Sequence, residues 1–188
     1  MSVQELSIGG ACVVTHRVFP DERGIFREWF KAAEMTSIDR NFSVQQANYS
    51  KSNQGVIRGI HYSLAPQGQA KVVTCASGKI VDLLIDLRPS SSSYLKVEYV
   101  ELSEDSGKVV YIPTGVGHGF LTLSECSSVV YLTSSRHAPQ YEMGINPLDP
   151  GLALSWPASG VGVPILSKND REAPSLAEAK RLGILPTF

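Results

Sequence analysis

Cysteine is scarce in this chain: Cys12, Cys75 and Cys126 are the three among 188 residues. Their odd number and wide spacing exclude a disulfide framework and a paired-cysteine metal site. Cys75 and Cys126 fall in strand-like runs, as buried apolar thiols in a reducing cytoplasm would. An excess of charge of one sign is also missing. Lys and Arg number 17 against 18 Asp and Glu, a formal net charge of −1, and no stretch concentrates the cations. A nucleic-acid surface needs such a patch, so no nucleic-acid partner is expected. A small anionic ligand stays open, because a few convergent cations in a pocket suffice. No apolar run approaches the roughly 18 residues that span a bilayer, so no membrane partner is expected. Met1-Ser-Val-Gln-Glu-Leu6 lacks a basic segment ahead of an apolar one, so no secretory signal is expected and the expected location is cytoplasmic. Internal repeats and low-complexity linkers are absent. The length suits one domain over residues 1–188, and an apolar content of 43% is enough for one sizeable core.

What the chain has in quantity is short strand signals. Residues 71–76 run into the turn Ser77-Gly78, and residues 79–87 follow, rich in branched apolar side chains. Residues 95–102 alternate apolar and polar, the period of a half-buried strand. A turn cluster at 103–107 leads to a return strand at 108–112, and 120–123 with 127–133 make another pair around Ser124-Glu125-Cys126. Short strands with frequent turns imply an all-β sandwich or barrel. Helices look peripheral: a short one over 31–38, and one in the tail opened by the capping box Ser175-Leu-Ala-Glu178 and ended by Gly183.

Two fingerprints stand out, Gly55-Val-Ile-Arg-Gly-Ile-His61-Tyr62 and Pro113-Thr-Gly-Val-Gly-His118-Gly-Phe120. Each sets one histidine after a glycine-rich bend, and two such histidines on one barrel can face a single cavity. A metal is a poor fit. Barrels that hold iron, manganese or zinc use a His-x-His pair, a glutamate and a distant histidine, and here the pair reads His61-Tyr62-Ser63. Metal-free acid–base chemistry remains, with a histidine as general base provided a carboxylate orients it. Lys71, ten residues after His61, is either a solvated strand start or a pocket cation. Asp82 and Asp86 share one strand face, and Asp82, between Val81 and Leu83, needs a partner because an unpaired buried carboxylate is costly. Tyr131 is a barrel aromatic or a proton donor.

Taken together, these residues resemble the dTDP-4-dehydrorhamnose 3,5-epimerases and their relatives in deoxysugar pathways. The likeness runs from about Val18 to the end of the chain. It includes Asp21-Glu-Arg-Gly-Ile-Phe-Arg-Glu28, Gln46-Ala-Asn-Tyr-Ser50, Gly55 to Tyr62, Gln69-Ala-Lys71, Asp82 to Arg88, Ile112 to Phe120, Glu142-Met-Gly-Ile145, Asp149-Pro150, Trp156-Pro157 and Leu166-Ser-Lys-Asn-Asp170. The resemblance implies a cupin-type double-stranded β-helix barrel, usually a homodimer, acting on a dTDP-linked 4-keto-6-deoxyhexose without a cofactor. It implies His61 as base, Asp170 as the carboxylate that orients it, Tyr131 as acid and Lys71 as the cation near the enolate oxygen. It also implies binding roles for Arg23, Phe26, Glu28, Gln46, Asn48, Arg58 and His118, a pocket-rim place for Glu142 and a supporting one for Asp82.

The chain departs from the family pattern in two places. His137 stands where a second aromatic, usually tyrosine, follows the acid by six residues, and Asn169 replaces a common basic residue. Inversion at C3, with C5 less secure, is the expected reaction. The other readings are a 3,4-ketoisomerase on the same substrate class and a catalytically silent nucleotide-sugar-binding cupin.

Overall fold

The computed structural model describes residues 1–160 and 162–187. Its strands in chain order are β1 (Ser2–Glu5), β2 (Cys12–Thr15), β3 (Val18–Asp21), β4 (Gly24–Arg27), β5 (Gln46–Asn53), β6 (Ile57–Ser63), β7 (Lys71–Ser77), β8 (Lys79–Asp86), β9 (Val97–Ser103), β10 (Lys108–Ile112), β11 (Val116–Thr122), β12 (Cys126–Thr133) and β13 (Glu142–Gly144). The helices α1 (Ala32–Ile38), α2 (Lys168–Glu172) and α3 (Leu176–Leu182) lie outside the strands. One sheet has the order β1-β2-β10-β7-β12-β5, the other β13-β6-β11-β8-β9, and β3 pairs with β4 alone.

An apolar core joins the two large sheets. Val13, Val73, Val110 and Val129 of the first meet Ile80, Leu84, Leu102 and Phe120 of the second. The sheets are therefore stacked face to face as a cupin-type jelly roll. Strand alternation sorts every side chain to the inside or the outside. On β7, Val73 and Cys75 point inward, while Val72 joins an outer cluster with Met35 of α1, Phe42 and Leu132. On β8, Ile80 and Leu84 point inward, while Leu83 and Ile85 lie outside beneath Leu176 and Ala179 of α3.

Three apparent hairpins are not hairpins. The segments around Ser77-Gly78, Ser103–Gly107 and Ser124-Glu125-Cys126 each carry the chain from one sheet to the other. In particular β11 pairs with β6 and β8, whereas β12 pairs with β5 and β7, so the expected pair across Cys126 does not form. A tight turn reverses the chain in either case; only the sheets' stacking decides whether its arms pair or face one another. The tail helix follows its sequence signals. The Ser175 hydroxyl accepts from the Glu178 N–H, the Glu178 carboxylate accepts from the Ser175 N–H, and Gly183 ends the helix at φ 66°.

Candidate active site

One end of the space between the sheets is filled by the apolar core, and the other holds a cavity of about 250 Å³. The second sheet lines it with Arg58 and His61 from β6 and with His118 and Phe120 from β11. The first sheet lines it with Ser50 from β5, Lys71 from β7 and Tyr131 from β12. Asn169 and Asp170 of α2, with the helix cap Ser167, close one side.

Simple alternation would put Arg58 and His61, three residues apart, on opposite faces of β6. A bulge prevents that. His118 lies opposite His61 and Phe120 opposite Arg58, so three steps on β6 match two on β11. Both β6 side chains then point inward. The bulge needs glycine at two places. Gly59 has φ 113°, and a Cβ there would meet the Gly119 Cα and the His118 carbonyl oxygen at 2.6 Å. A Cβ on Gly119 would meet the Arg58 carbonyl oxygen at 2.8 Å. The glycines of the two fingerprints are therefore one feature: they let two strands approach closely where their histidines sit side by side.

Each of these histidines is bonded to a carboxylate. His61 Nε2 donates to Asp170 Oδ1 at 2.7 Å, with the imidazole 50% exposed and the carboxylate 7% exposed. An ionised carboxylate only accepts, so the proton sits on Nε2 and Nδ1 keeps a lone pair, the form a general base needs. Burial resists the charge on Asp170, but hydrogen bonds from His61, Ser167 and the Gly59 backbone outweigh it and hold its carboxyl below the usual range. His118 Nε2 donates to Asp82 Oδ1 at 2.7 Å, both side chains being buried. Asp82 thus has the partner its apolar flanks demand, although its Oδ2 has none. Asp86, on the same strand face, serves a different purpose. Burial resists its charge too, but bonds from Arg88, Ser91 and Ser93 hold its carboxyl at about 2.

The facing sheet carries opposite tendencies. Burial pushes the Lys71 ammonium below its usual value, while the carboxylates of Glu142 and Asp82 push back. Burial raises the Tyr131 phenol, Glu142 raises it further, and Arg58 opposes. The arrangement is thus an oriented imidazole on one sheet, and a protonated phenol beside a cation on the other. Among the described residues, no group of three or more His, Cys, Asp or Glu side chains is placed to hold a metal ion.

The structure does not bring all the expected residues to this cavity. Arg23, Phe26 and Glu28 belong to the β3–β4 hairpin and the segment after it. Arg23 is exposed and bonded to Asp21, Phe26 is 65% exposed, and Glu28 pairs with Lys31 at 2.7 Å. Gln46, Asn48 and His137 are joined in one hydrogen-bonded row, and none of them lines the cavity. Glu142 lies in an adjoining groove of about 330 Å³ that also borders His61 and Asp170. Arg58 Nε donates to the Ser52 hydroxyl at 2.9 Å. Residue-level reasoning missed Ser50, Phe120, Ser167 and Asn169 as cavity-lining groups. For Ser50 and Phe120 the signal was present, since each lies two residues from a candidate on the same strand, Asn48 and His118.

Comparison with known proteins decides the family. The model of the family described as dTDP-4-dehydrorhamnose 3,5-epimerase matches residues 5–178. The chain belongs to this epimerase family. A dTDP-4-dehydrorhamnose 3,5-epimerase of Mycolicibacterium smegmatis is 42% identical over 100% of this chain and 92% of its own length. A dTDP-4-dehydrorhamnose 3-epimerase of Streptomyces niveus is 41% identical over 100% of this chain and 90% of its own length. Among solved structures, NovW, a 4-keto-6-deoxy sugar epimerase from the novobiocin biosynthetic gene cluster of Streptomyces spheroides, gives a TM-score of 0.94 at 41% identity, covering 100% of this chain and 94% of that one. The protein is accordingly an epimerase, an isomerase enzyme, and its names among relatives divide between action at C3 alone and at C3 and C5. Among the described residues, no helix is long and apolar enough to cross a membrane.

Proposed function

We propose that this epimerase inverts C3 of a dTDP-linked 4-keto-6-deoxyhexose through an enolate. One observation carries the reading: His61, oriented by Asp170, and Tyr131, beside Lys71, line a single cavity from opposite sheets. The C4 ketone acidifies the hydrogen on C3. His61 Nδ1 takes that proton, and the electron pair moves into the C3–C4 bond and onto the C4 oxygen. Lys71 stabilises the developing oxyanion, and Asp170 the imidazolium. Tyr131 then returns a proton to C3 on the other face, the carbonyl re-forms, and solvent restores the two side chains. No redox step occurs, so no cofactor is called for. Arg58 suits the diphosphate, because its planar fork matches phosphate oxygens, and His118 lies beside the sugar.

The exposed β3–β4 hairpin supports a homodimer. Phe19, Ile25 and Phe26 are all exposed on it, and this apolar surface suits a partner subunit over whose pocket Arg23, Phe26 and Glu28 extend. The cysteines are unpaired among the described residues, which supports a cytoplasmic location. Turnover in D2O, followed by NMR at each sugar carbon, tests the reaction. Deuterium at C3 with inversion there, and a carbonyl that stays at C4, is the expected outcome. Equal exchange and inversion at C5 would remove the single-carbon reading, and a carbonyl moved to C3 would make the protein a ketoisomerase.

A further inference from the structure

The cavity holds a second imidazole–carboxylate pair that the proposed proton transfer does not use. β8 turns Ile80, Asp82 and Leu84 to the inside, and Ile80 and Leu84 belong to the apolar core. Asp82 stands between them, fully buried, opposite Phe120 of β11 and Val100 of β9. Its Oδ1 accepts from His118 Nε2 at 2.7 Å, and its Oδ2 is buried without a partner. A carboxylate in an apolar row, with one oxygen unpaired, costs stability that an apolar side chain would not. Its one side-chain bond is to His118, so what it does for the site is done through that imidazole.

A carboxylate only accepts, so His118 carries its proton on Nε2. Nδ1 then holds a lone pair, and it has no partner among the described residues. His118 lines the cavity and lies opposite His61 in the pairing of β11 with β6. Side chains paired in this way stand about 5 Å apart at Cβ. Carboxylates of different elements hold the two rings, Asp170 of α2 and Asp82 of β8, so each imidazole is set independently. The Nδ1 lone pair of His118 selects its ligand. Ionised diphosphate oxygens carry only lone pairs and are repelled, whereas a hydroxyl donates to it. A 4-keto-6-deoxyhexose joined through C1 offers hydroxyls at C2 and C3 only. The nearer to the hydrogen that His61 takes is the hydroxyl on C3 itself.

We propose that Asp82 is a positioning residue for the epimerisation: by holding the proton on His118 Nε2, it makes His118 Nδ1 an acceptor for the C3 hydroxyl of the sugar. This rests on the reading above that His61 removes the C3 hydrogen. With the hydroxyl held by one imidazole, the hydrogen on the same carbon is presented to the other. The bond fixes the C3–H bond across the carbonyl plane, the direction from which its electron pair enters the C3–C4 bond. It also makes the pair selective for a sugar hydroxylated at C3.

The test compares the 3-hydroxy substrate with a dTDP-linked 4-keto-3,6-dideoxyhexose, which keeps exchangeable hydrogen on C3 and lacks the hydroxyl. The readout is kcat/KM for deuterium entry at C3 in D2O, followed by NMR. The ratio of the two values, hydroxy over deoxy, is taken for each protein, which cancels the difference in acidity between the two sugars. In His118→Phe and in Asp82→Ala this ratio is expected to fall roughly 10- to 100-fold from that of the parent, the worth of one buried hydrogen bond. A merely structural Asp82 would slow both sugars alike, so an unchanged ratio overturns the proposal. So does a ratio that falls only when the 2-hydroxyl is the one removed. Nitrogen-15 NMR of the parent protein reads the His118 tautomer with no variant needed: the Nε2–H form is expected, and the Nδ1–H form overturns the proposal. His61→Ala separates this from failure of the underlying reading. If it keeps full C3 exchange, that reading is wrong. If it loses exchange while the ratio stays unchanged in His118→Phe and Asp82→Ala, only the inference about Asp82 is wrong.

Discussion

Asp170→Asn is the sharpest perturbation of the proposed mechanism, because it changes one atom and reverses one hydrogen bond. The Asp170 carboxylate accepts from His61 Nε2 at 2.7 Å and from the Gly59 backbone N–H. The Ser167 hydroxyl also faces it but can turn to donate or accept, so an amide in its place has one acceptor and one donor end for the two donors that matter. The Gly59 N–H cannot change, so the amide oxygen serves it and the NH2 turns to the imidazole. Nε2 must then carry the lone pair and Nδ1 the proton, which is the wrong tautomer for removing a proton from C3. The imidazolium also loses its counter-charge. A tautomer reversal of this kind lowers kcat by about 10⁴-fold where a buried aspartate orients a serine protease's histidine base, which corresponds to about 5.5 kcal/mol of barrier. The assay is deuterium exchange at C3 in D2O, read by NMR, with dTDP affinity measured in parallel. Affinity is expected to stay within about twofold, because a residue acting only through the base contributes to the transition state and not to ground-state binding. An Asp170→Asn protein that keeps more than about a tenth of the parent exchange rate would refute the role of Asp170 and weaken that of His61.

Two further outcomes follow from the framework around the site. Gly59→Ala is expected to cost roughly 2–4 kcal/mol in chemical denaturation, because the new Cβ meets backbone atoms at 2.6 Å and φ is 113°; wild-type stability would mean that the bulge relaxes freely. Asp86 has a folded-state carboxyl held at about 2 against an ordinary 3.8. A depressed pKa contributes stability that is present above about pH 4 and is lost as pH falls towards 2, so Asp86→Asn should remove about 2 kcal/mol at pH 6 and almost nothing at pH 2. Equal losses at both pH values would place the effect in packing and not in charge.

Parts of the fold are legible in the residues because they depend on local chemistry. The strands β7, β8, β9, β10 and β12 follow branched apolar runs and their alternation, and α3 follows its capping box and terminal glycine. The strands β1, β2 and β5 gave less warning. Gln46–Asn53 reads as a polar segment, because one face of β5 looks into a polar cavity and the other out of the barrel. The short helix α2 had no periodic apolar face to announce it; Ser167 caps the Asp170 N–H, and that one turn delivers the carboxylate to His61.

By itself the sequence determined which chemistry was available: an imidazole, an ammonium, a phenol and carboxylates, with glycines where strands must come close. It also determined which face of each regular strand those groups occupy, because alternation is a property of the backbone. Only the tertiary structure decided that Arg58 and His61 share a face, since a bulge breaks the alternation between them, and that His61 and Tyr131 meet across one cavity. Those facts depend on how two sheets stack and on which residues 57 to 70 positions apart are brought together, from His61 and His118 (118 − 61) to His61 and Tyr131 (131 − 61). No local signal encodes such pairings, because they are settled by the burial of the whole core.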